Sequence, residues 1–378
     1  MKKTQNKNLT LCSNCLVFST RPRITFDENG LCSACQWMKA KKEEVDWNKR
    51  EKELDELINK YKARSLDKFD VIAPSSGGKD SSYVAWQLKE KLGLKPLLAT
   101  VNPPLPYDVG IQNLEESIKR GFDHIRITPN YEMGRVIAKK AFMELGQPLM
   151  AWMMSVQTTL FRLAVLFDIP FVMFGEEGEA EYGGSKELQN KATYGIEESI
   201  KLYLSGNTPK DFIKEYGFSD KDLYWWSYPS KEEFRALEPA IAHWSYFESW
   251  DSIRNYELAR DKMGLRGTGI RSIGTYNDFA QTDTKLYDLH VYLMFLKFGF
   301  GRCTQDVCID IRRGAMTRQD GIELVKKYDG EYPDVHIVDY LEYFRMKQAE
   351  FDAVIDKWAN KDLFEKVGGR WMPKFELY

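Results

Sequence analysis

Residues 69–88 constrain this chain more than any other stretch. Phe69-Asp70-Val71-Ile72-Ala73-Pro74 is a short apolar run, followed by Ser75-Ser76-Gly77-Gly78-Lys79-Asp80-Ser81-Ser82 and then by apolar residues at helical spacing over 83–88. A strand, a glycine turn and a helix start in that order aim backbone N–H groups and the positive end of a helix dipole at one point. Such a point suits phosphate. The paired glycines let the main chain approach an anion with no Cβ in the way. The hydroxyls of Ser76, Ser81 and Ser82 add donors, and Lys79 adds charge.

The Walker phosphate loop is excluded, because Ala73 and Asp80 stand where it needs Gly and Ser or Thr. The run Ser76-Gly77-Gly78-Lys79-Asp80-Ser81 instead resembles the SGGxDS signature of the PP-loop ATP pyrophosphatases. Members of that superfamily cleave ATP between the α and β phosphates and adenylate a substrate oxygen.

Strands expected at 95–102, 124–128 and 170–175 alternate with helices expected at 111–121, 133–145 and 154–167. This alternation predicts an α/β fold, a parallel sheet with helices on both faces. Ligands of such sheets bind beyond the carboxyl ends of the strands, where the strand order switches. The loop after the 170–175 strand should therefore face the phosphate loop. It reads Gly175-Glu176-Glu177-Gly178-Glu179-Ala180-Glu181-Tyr182-Gly183-Gly184, and its four glutamates would repel one another without a cation or basic ligand among them. Mg2+ takes one or two carboxylates plus phosphate, so the loop is a candidate for holding it.

Cys12-x2-Cys15 and Cys32-x2-Cys35, sixteen residues apart, have double-knuckle zinc spacing. Four thiolates would close a tetrahedral shell and leave no open position, so a structural Zn2+ is expected. Residues 21–30 between the pairs read as a hairpin ending in an Asn-Gly turn. Residues 36–62 read as one charged spacer helix with Val45, Leu54, Leu57, Ile58 and Tyr61 along an apolar stripe.

A net charge of −2 over 378 residues gives no global field toward nucleic acid or an anionic membrane. No stretch approaches the roughly 20 apolar residues of a membrane span. The basic N-terminal residues 1–9 lack the apolar core of a secretory signal, and a cytoplasmic location is expected. After Tyr194 the alternation stops and aromatics crowd into 224–228 and 243–250, a density expected in a core or a subunit interface, or in a platform for a ring or partner. Residues 285–297 read as an apolar helix carrying a packed His290. Arg302, Arg312, Arg313 and Arg318 then cluster around glycines, a composition suited to gripping phosphates, with Cys303 and Cys308 read as reduced thiols. Residues 319–378 read as amphipathic helices. Three regions are thus expected: a knuckle and spacer helix (1–68), a PP-loop domain (69–195) and a mainly helical, aromatic-rich substrate or partner region (196–378).

The cysteine knuckle, the SGGKDS loop, the GEEGEAEYGG loop and the KFGFGRCTQD…IRRGAMTR stretch occur in one order over nearly the whole chain. Together they resemble the N-acetyl sugar amidotransferase family, PP-loop enzymes of bacterial surface-polysaccharide (lipopolysaccharide) and flagellin-glycan biosynthesis. The family's second loop commonly reads GENP-x-x-EYG; here Glu177 and Gly178 replace Asn and Pro, while Glu176, Glu181, Tyr182 and Gly183 match.

The resemblance implies an ATP-dependent, AMP-forming carbon–nitrogen ligase. It would convert an acetamido group of a nucleotide-activated sugar to an acetamidino group through an O-adenyl imidate. On this reading Ser75, Ser76, Gly77, Gly78, Lys79, Asp80, Ser81, Ser82, Asn102 and Gly175 bind ATP. Asp80, Lys79, Glu176 and Glu181 are the catalytic candidates, with Mg2+ as cofactor, and the four arginines hold substrate phosphate. Ammonia would come from a separate glutaminase, with a cyclase-like channel protein possible beside it, docking on 224–250. A PP-loop tRNA thiolase, drawing on Cys303 and Cys308, and a non-catalytic zinc-knuckle scaffold are the alternative readings.

Overall fold

The computed structural model of the chain describes residues 9–65, 68–195, 217–237 and 239–376. Residues 1–8 of the N-terminal stretch and the boundary expected at 196 lie outside them. The first lobe carries the four cysteines, and its hairpin reduces to one bridge, Phe26 to Cys32, across a turn closed by Gly30 N–H on the Asp27 carbonyl. The expected single spacer is two helices, α1 (Ser33–Glu43) and α2 (Trp47–Ser65). Cys32 caps α1 by accepting the Cys35 N–H through its sulfur. Leu54, Ile58 and Tyr61 of α2 are buried against the sheet, as the apolar stripe requires.

The sheet begins with β1 (Val71–Pro74), continued by α3 (Lys79–Trp86), β2 (Pro96–Val101), α4 (Asp108–Lys119) and β3 (Asp123–Ile127). Helices α5 (Tyr131–Leu145) and α6 (Met150–Phe167) precede β4 (Phe171–Phe174). The acidic loop makes one short helical turn, α7 (Gly178–Glu181), before β5 (Thr193–Tyr194). The alternation does not end there. After α8 (Lys231–Leu237), β6 (Ala240–His243) pairs parallel with β4, and only β5 runs antiparallel. Strand order is β3-β2-β1-β4-β6-β5, so the order switches between β1 and β4.

Period-two alternation assigns the faces. Val71 and Ala73, Phe171 and Met173, and Ala240 and Ala242 pack with α2 and α3, while Ile72, Val172, Leu97 and Ala99 pack with α6. Each fully buried Val, Leu, Ile or Phe here contributes about 1.5–3 kcal/mol. Helix α6 is the one described helix long and apolar enough to cross a membrane, yet Leu160, Leu163 and Ala164 are buried in this core.

The chain then forms α9 (Trp244–Phe247) and α10 (Ser252–Met263), which packs on α3. A glycine- and threonine-rich segment, 264–284, leads to α11 (Leu286–Phe298) and α12 (Arg302–Arg313). Helices α13 (Arg318–Tyr328), α14 (Ile337–Phe344) and α15 (Gln348–Trp358) follow, and a hairpin, β7 (Phe364–Val367) with β8 (Arg370–Pro373), ends what was expected to be helical throughout. The aromatics of 224–250 are chiefly core: Trp226, Trp244, Phe247 and Trp250 are buried.

Candidate active site

The loop after β1 has the geometry its sequence calls for. Gly77 takes a left-handed φ of 78°, and a Cβ there would stand 2.5 Å from the Gly110 carbonyl oxygen, so no other residue fits. Gly78 is the N-cap of α3 and carries no capping side chain, which leaves the first-turn N–H groups of α3 for a ligand. Asn113 fixes the loop from the side, donating to the Gly77 carbonyl at 3.0 Å. Ser81 Oγ accepts the Ser76 N–H at 3.3 Å and donates to the Gly78 carbonyl at 3.1 Å, so this hydroxyl shapes the loop. Ser82 and Ser75 are buried beneath it.

The loop opens on a cleft of about 340 Å3 at the β1/β4 switch, floored by Ala99, Val101 and Met173 and bordered by Ser76, Asp80 and Glu176. Gly175 lets β4 come close to α3: a Cβ there would meet Trp250 at 3.3 Å and Asp80 Cβ at 3.6 Å. Asn102 stands at the end of β2 over an adjoining cavity of about 150 Å3, donating to Thr128 Oγ1 at 2.6 Å.

Charge converges on this cleft. Lys79 pairs with Asp80 at 2.5 Å; burial opposes the lysine's charge, but Asp80 outweighs it and holds the ammonium above its ordinary range. The other Asp80 oxygen, Oδ1, is buried with no hydrogen-bond partner among the described residues. Burial, then the nearby Asp80, pushes the Glu176 carboxyl up to about 7, against the pull of Lys79 and Tyr182. Asp283, which sequence reasoning missed, also borders the cleft. Burial pushes it up to about 6 although Ser76 and Thr282 bond it. The backbone beside it is fitted to the site, since a Cβ on Gly110 would collide with the Thr282 carbonyl at 2.2 Å.

The four glutamates of the second loop do not share one cation. Glu177 caps α7 by accepting the Ala180 N–H at 2.5 Å, and Glu179 pairs with Arg23. Glu181 is buried against Lys41 at 2.6 Å and the Trp37 indole N–H at 3.1 Å, so it braces the cysteine lobe and does not face the cleft chemistry. Glu176 alone lines the cleft. The arginines separate likewise. Arg302 and Arg312 stand at opposite ends of α12, about 15 Å apart at 1.5 Å per residue. Arg302 pairs with Asp306 at 3.0 Å and shares a cavity wall with Lys79 and Tyr182. Arg312 is buried 4.0 Å from Cys15 Sγ, and Arg313 pairs with Asp310 at 2.8 Å. Arg318 opens α13, beyond that helix. They form no single phosphate grip.

Cys12, Cys15, Cys32 and Cys35 bring their sulfurs within 4.8 Å of one another. Cys12–Cys35 and Cys15–Cys32 are 3.8 and 3.7 Å apart, edges that fit a tetrahedron around one ion with arms of about 2.3 Å. Cys303 and Cys308 are buried beneath this cluster, and Cys308 Sγ accepts the Leu16 N–H at 3.3 Å. Both are free thiols with packing roles.

Fold and site together give a mostly parallel α/β sheet with an N-terminal four-cysteine cluster and a largely helical C-terminal region. Residues 273–376 match the family model described as LPS biosynthesis protein WbpG-like, C-terminal domain, which supports the resemblance to the sugar amidotransferases. The chain is also similar to the NH3-dependent NAD synthetase of Campylobacter jejuni subsp. jejuni NCTC 11168, at 17% identity and a TM-score of 0.28 over 51% of this chain and 92% of that one. The U34-tRNA thiolase NcsA of Methanococcus maripaludis, with its [4Fe-4S] cluster, matches at 12% identity and a TM-score of 0.31 over 92% and 88%. Both likenesses are remote. No curated protein matches the chain.

Proposed function

We propose that this protein is an ATP-dependent amidotransferase that turns the acetamido group of a nucleotide-activated sugar into an acetamidino group, in the cytoplasm. The observation that carries the reading is one cleft lined by Ser76, Asp80 and Ser81, which flank the Gly77–Gly78 turn and the start of α3, together with Glu176 and Asp283. The lipopolysaccharide-type match over 273–376 supports the substrate class.

An acetamido oxygen is a poor leaving group. Adenylation converts it to one, releasing pyrophosphate, and ammonia then displaces AMP. The free N–H groups at the start of α3 would receive the phosphates, and Lys79, kept charged by Asp80, would oppose their charge. Mg2+ fits beside the orphaned Asp80 Oδ1 and Asp283, where it would neutralise phosphate. Glu176, half-protonated near neutrality, is suited to accept the proton that the attacking nitrogen sheds. Zn2+ suits the four thiolates and would supply folding energy, about 10–16 kcal/mol by analogy with zinc-finger peptides.

Ammonia would come from a separate glutaminase. Cys303 and Cys308 are buried in the core, which supports neither a nucleophile in this chain nor the thiolase reading. The test is incubation with ATP, Mg2+ and ammonium against a panel of UDP- and CMP-linked acetamido sugars. AMP and pyrophosphate should appear only with an acceptor, and glutamine should replace ammonium only after a glutaminase is added. ATP cleavage that depends on tRNA, or none with any sugar, would overturn the reading.

A further inference from the structure

A further cavity, about 180 Å3, lies between the loop at Arg21–Arg23, the α7 turn and helices α11 and α12. Its one carboxylate among the described residues, Glu179, is taken by Arg23, whose Nε stands 2.8 Å away and whose Nη2 reaches the other oxygen. Two further cations on the wall, Arg21 and Lys297, have no carboxylate partner among the described residues. The Arg21 guanidinium is held between the rings of Tyr182 and Phe300, 5.2 and 5.7 Å from their centroids. It makes no side-chain hydrogen bond or ion pair among the described residues.

A guanidinium carries five N–H donors in a rigid fork, and enclosing it without an acceptor costs solvation. Burial does pull Arg21 below its ordinary range. Lys297 spends two donors on the Leu145 and Gly146 carbonyls, at 3.4 and 3.0 Å, and has a third left over. Gln147 and Gln305 add neutral amides to the same wall.

We propose that this cavity is the anion subsite of the acceptor, where Arg21 and Lys297 take the phosphate groups that link the sugar to its nucleoside. The inference rests on the functional reading above and moves the substrate-phosphate grip away from Arg302, Arg312, Arg313 and Arg318. Two cations without a carboxylate ion-pair partner among the described residues match the two charges of a diphosphate, and a forked guanidinium pairs with phosphate through two donors. The position suits a substrate that must reach ATP, because Tyr182 stacks on Arg21 while its hydroxyl faces Glu176 in the cleft.

The test uses the full-length, metal-loaded chain with its ATP cleft filled by a non-hydrolysable ATP analogue, titrated with UDP and with CMP. Wild type should bind at least one. Arg21→Met, which keeps the stacking bulk, should weaken that binding about tenfold or more and leave the analogue's affinity within about twofold, with Arg21→Lys between. If the variants fold poorly, phenylglyoxal labelling of wild-type Arg21 should be blocked by UDP or CMP and unaffected by the ATP analogue. Equal nucleotide affinity in Arg21→Met, or labelling that neither nucleotide blocks, overturns the subsite. Failure of wild type to bind the ATP analogue would instead overturn the ATP-dependent reading, and loss of UDP or CMP binding in Arg21→Met would then still support the subsite.

Discussion

The Lys41 ammonium lies 2.6 Å from the Glu181 carboxylate, with the two side chains only 1% and 9% exposed. This pair joins α1 of the cysteine lobe to the loop that carries Glu176. The Trp37 indole satisfies the second Glu181 oxygen, and Ser33 Oγ donates to the Gly183 carbonyl at 2.6 Å. The lobe is therefore a brace for the cleft wall.

Removing one partner of such a pair strands a buried charge. Lys41→Met should cost about 3–5 kcal/mol, and Lys41→Met with Glu181→Leu should recover much of it. Thermal melts of both variants check this. Equal losses in the single and double variants would mean that packing, not the stranded carboxylate, sets the cost.

The same brace predicts what metal removal does. Cys32 caps α1, so losing the ion should loosen α1 and, through Lys41 and Ser33, residues 176–184. Cys32→Ser should lower the melting temperature and ATP turnover together, and hydrogen exchange should rise at 176–184. Unchanged exchange there would separate the lobe from the site.

Much of this was legible because it is local. The β1 turn, each Cys-x2-Cys pair and the apolar strand runs each span only a few residues. Strand β6 was missed because Ala240-Ile241-Ala242-His243 is short, sits among aromatics and becomes a strand only by pairing with distant β4. Asp283 was missed for the same reason: no motif surrounds it, and it comes near the cleft only through contacts with distant residues. Glu181 was misread because four glutamates in a short run look like one pool of charge. The α7 turn points each to a different partner instead.

Glu176 makes a pH prediction with a definite sign. Its folded-state carboxyl is raised to about 7, so the stability it contributes when protonated is full below the usual carboxylate range and is lost as pH rises through 7. Glu176→Gln cannot ionise and should be more stable than wild type by about 3 kcal/mol at pH 8, with no difference at pH 4. The ammonium-dependent rate of wild type should rise through pH 7 as the carboxylate forms, and the variant should lose that limb. Melting curves and rates across this window decide it, and a stability difference independent of pH would contradict the assignment.

On the proposed function, the acetamido oxygen is adenylated in the cleft beside Asp80. The most direct measurement places a heavy isotope of oxygen in the acetamido carbonyl of an accepted nucleotide sugar, supplies ATP, Mg2+ and ammonium, and follows the label by mass spectrometry. The heavy oxygen should appear in AMP, one label for each acetamidino group formed, with no transfer in Asp80→Ala. Label retained in the sugar product, or found in pyrophosphate or in water, would contradict it.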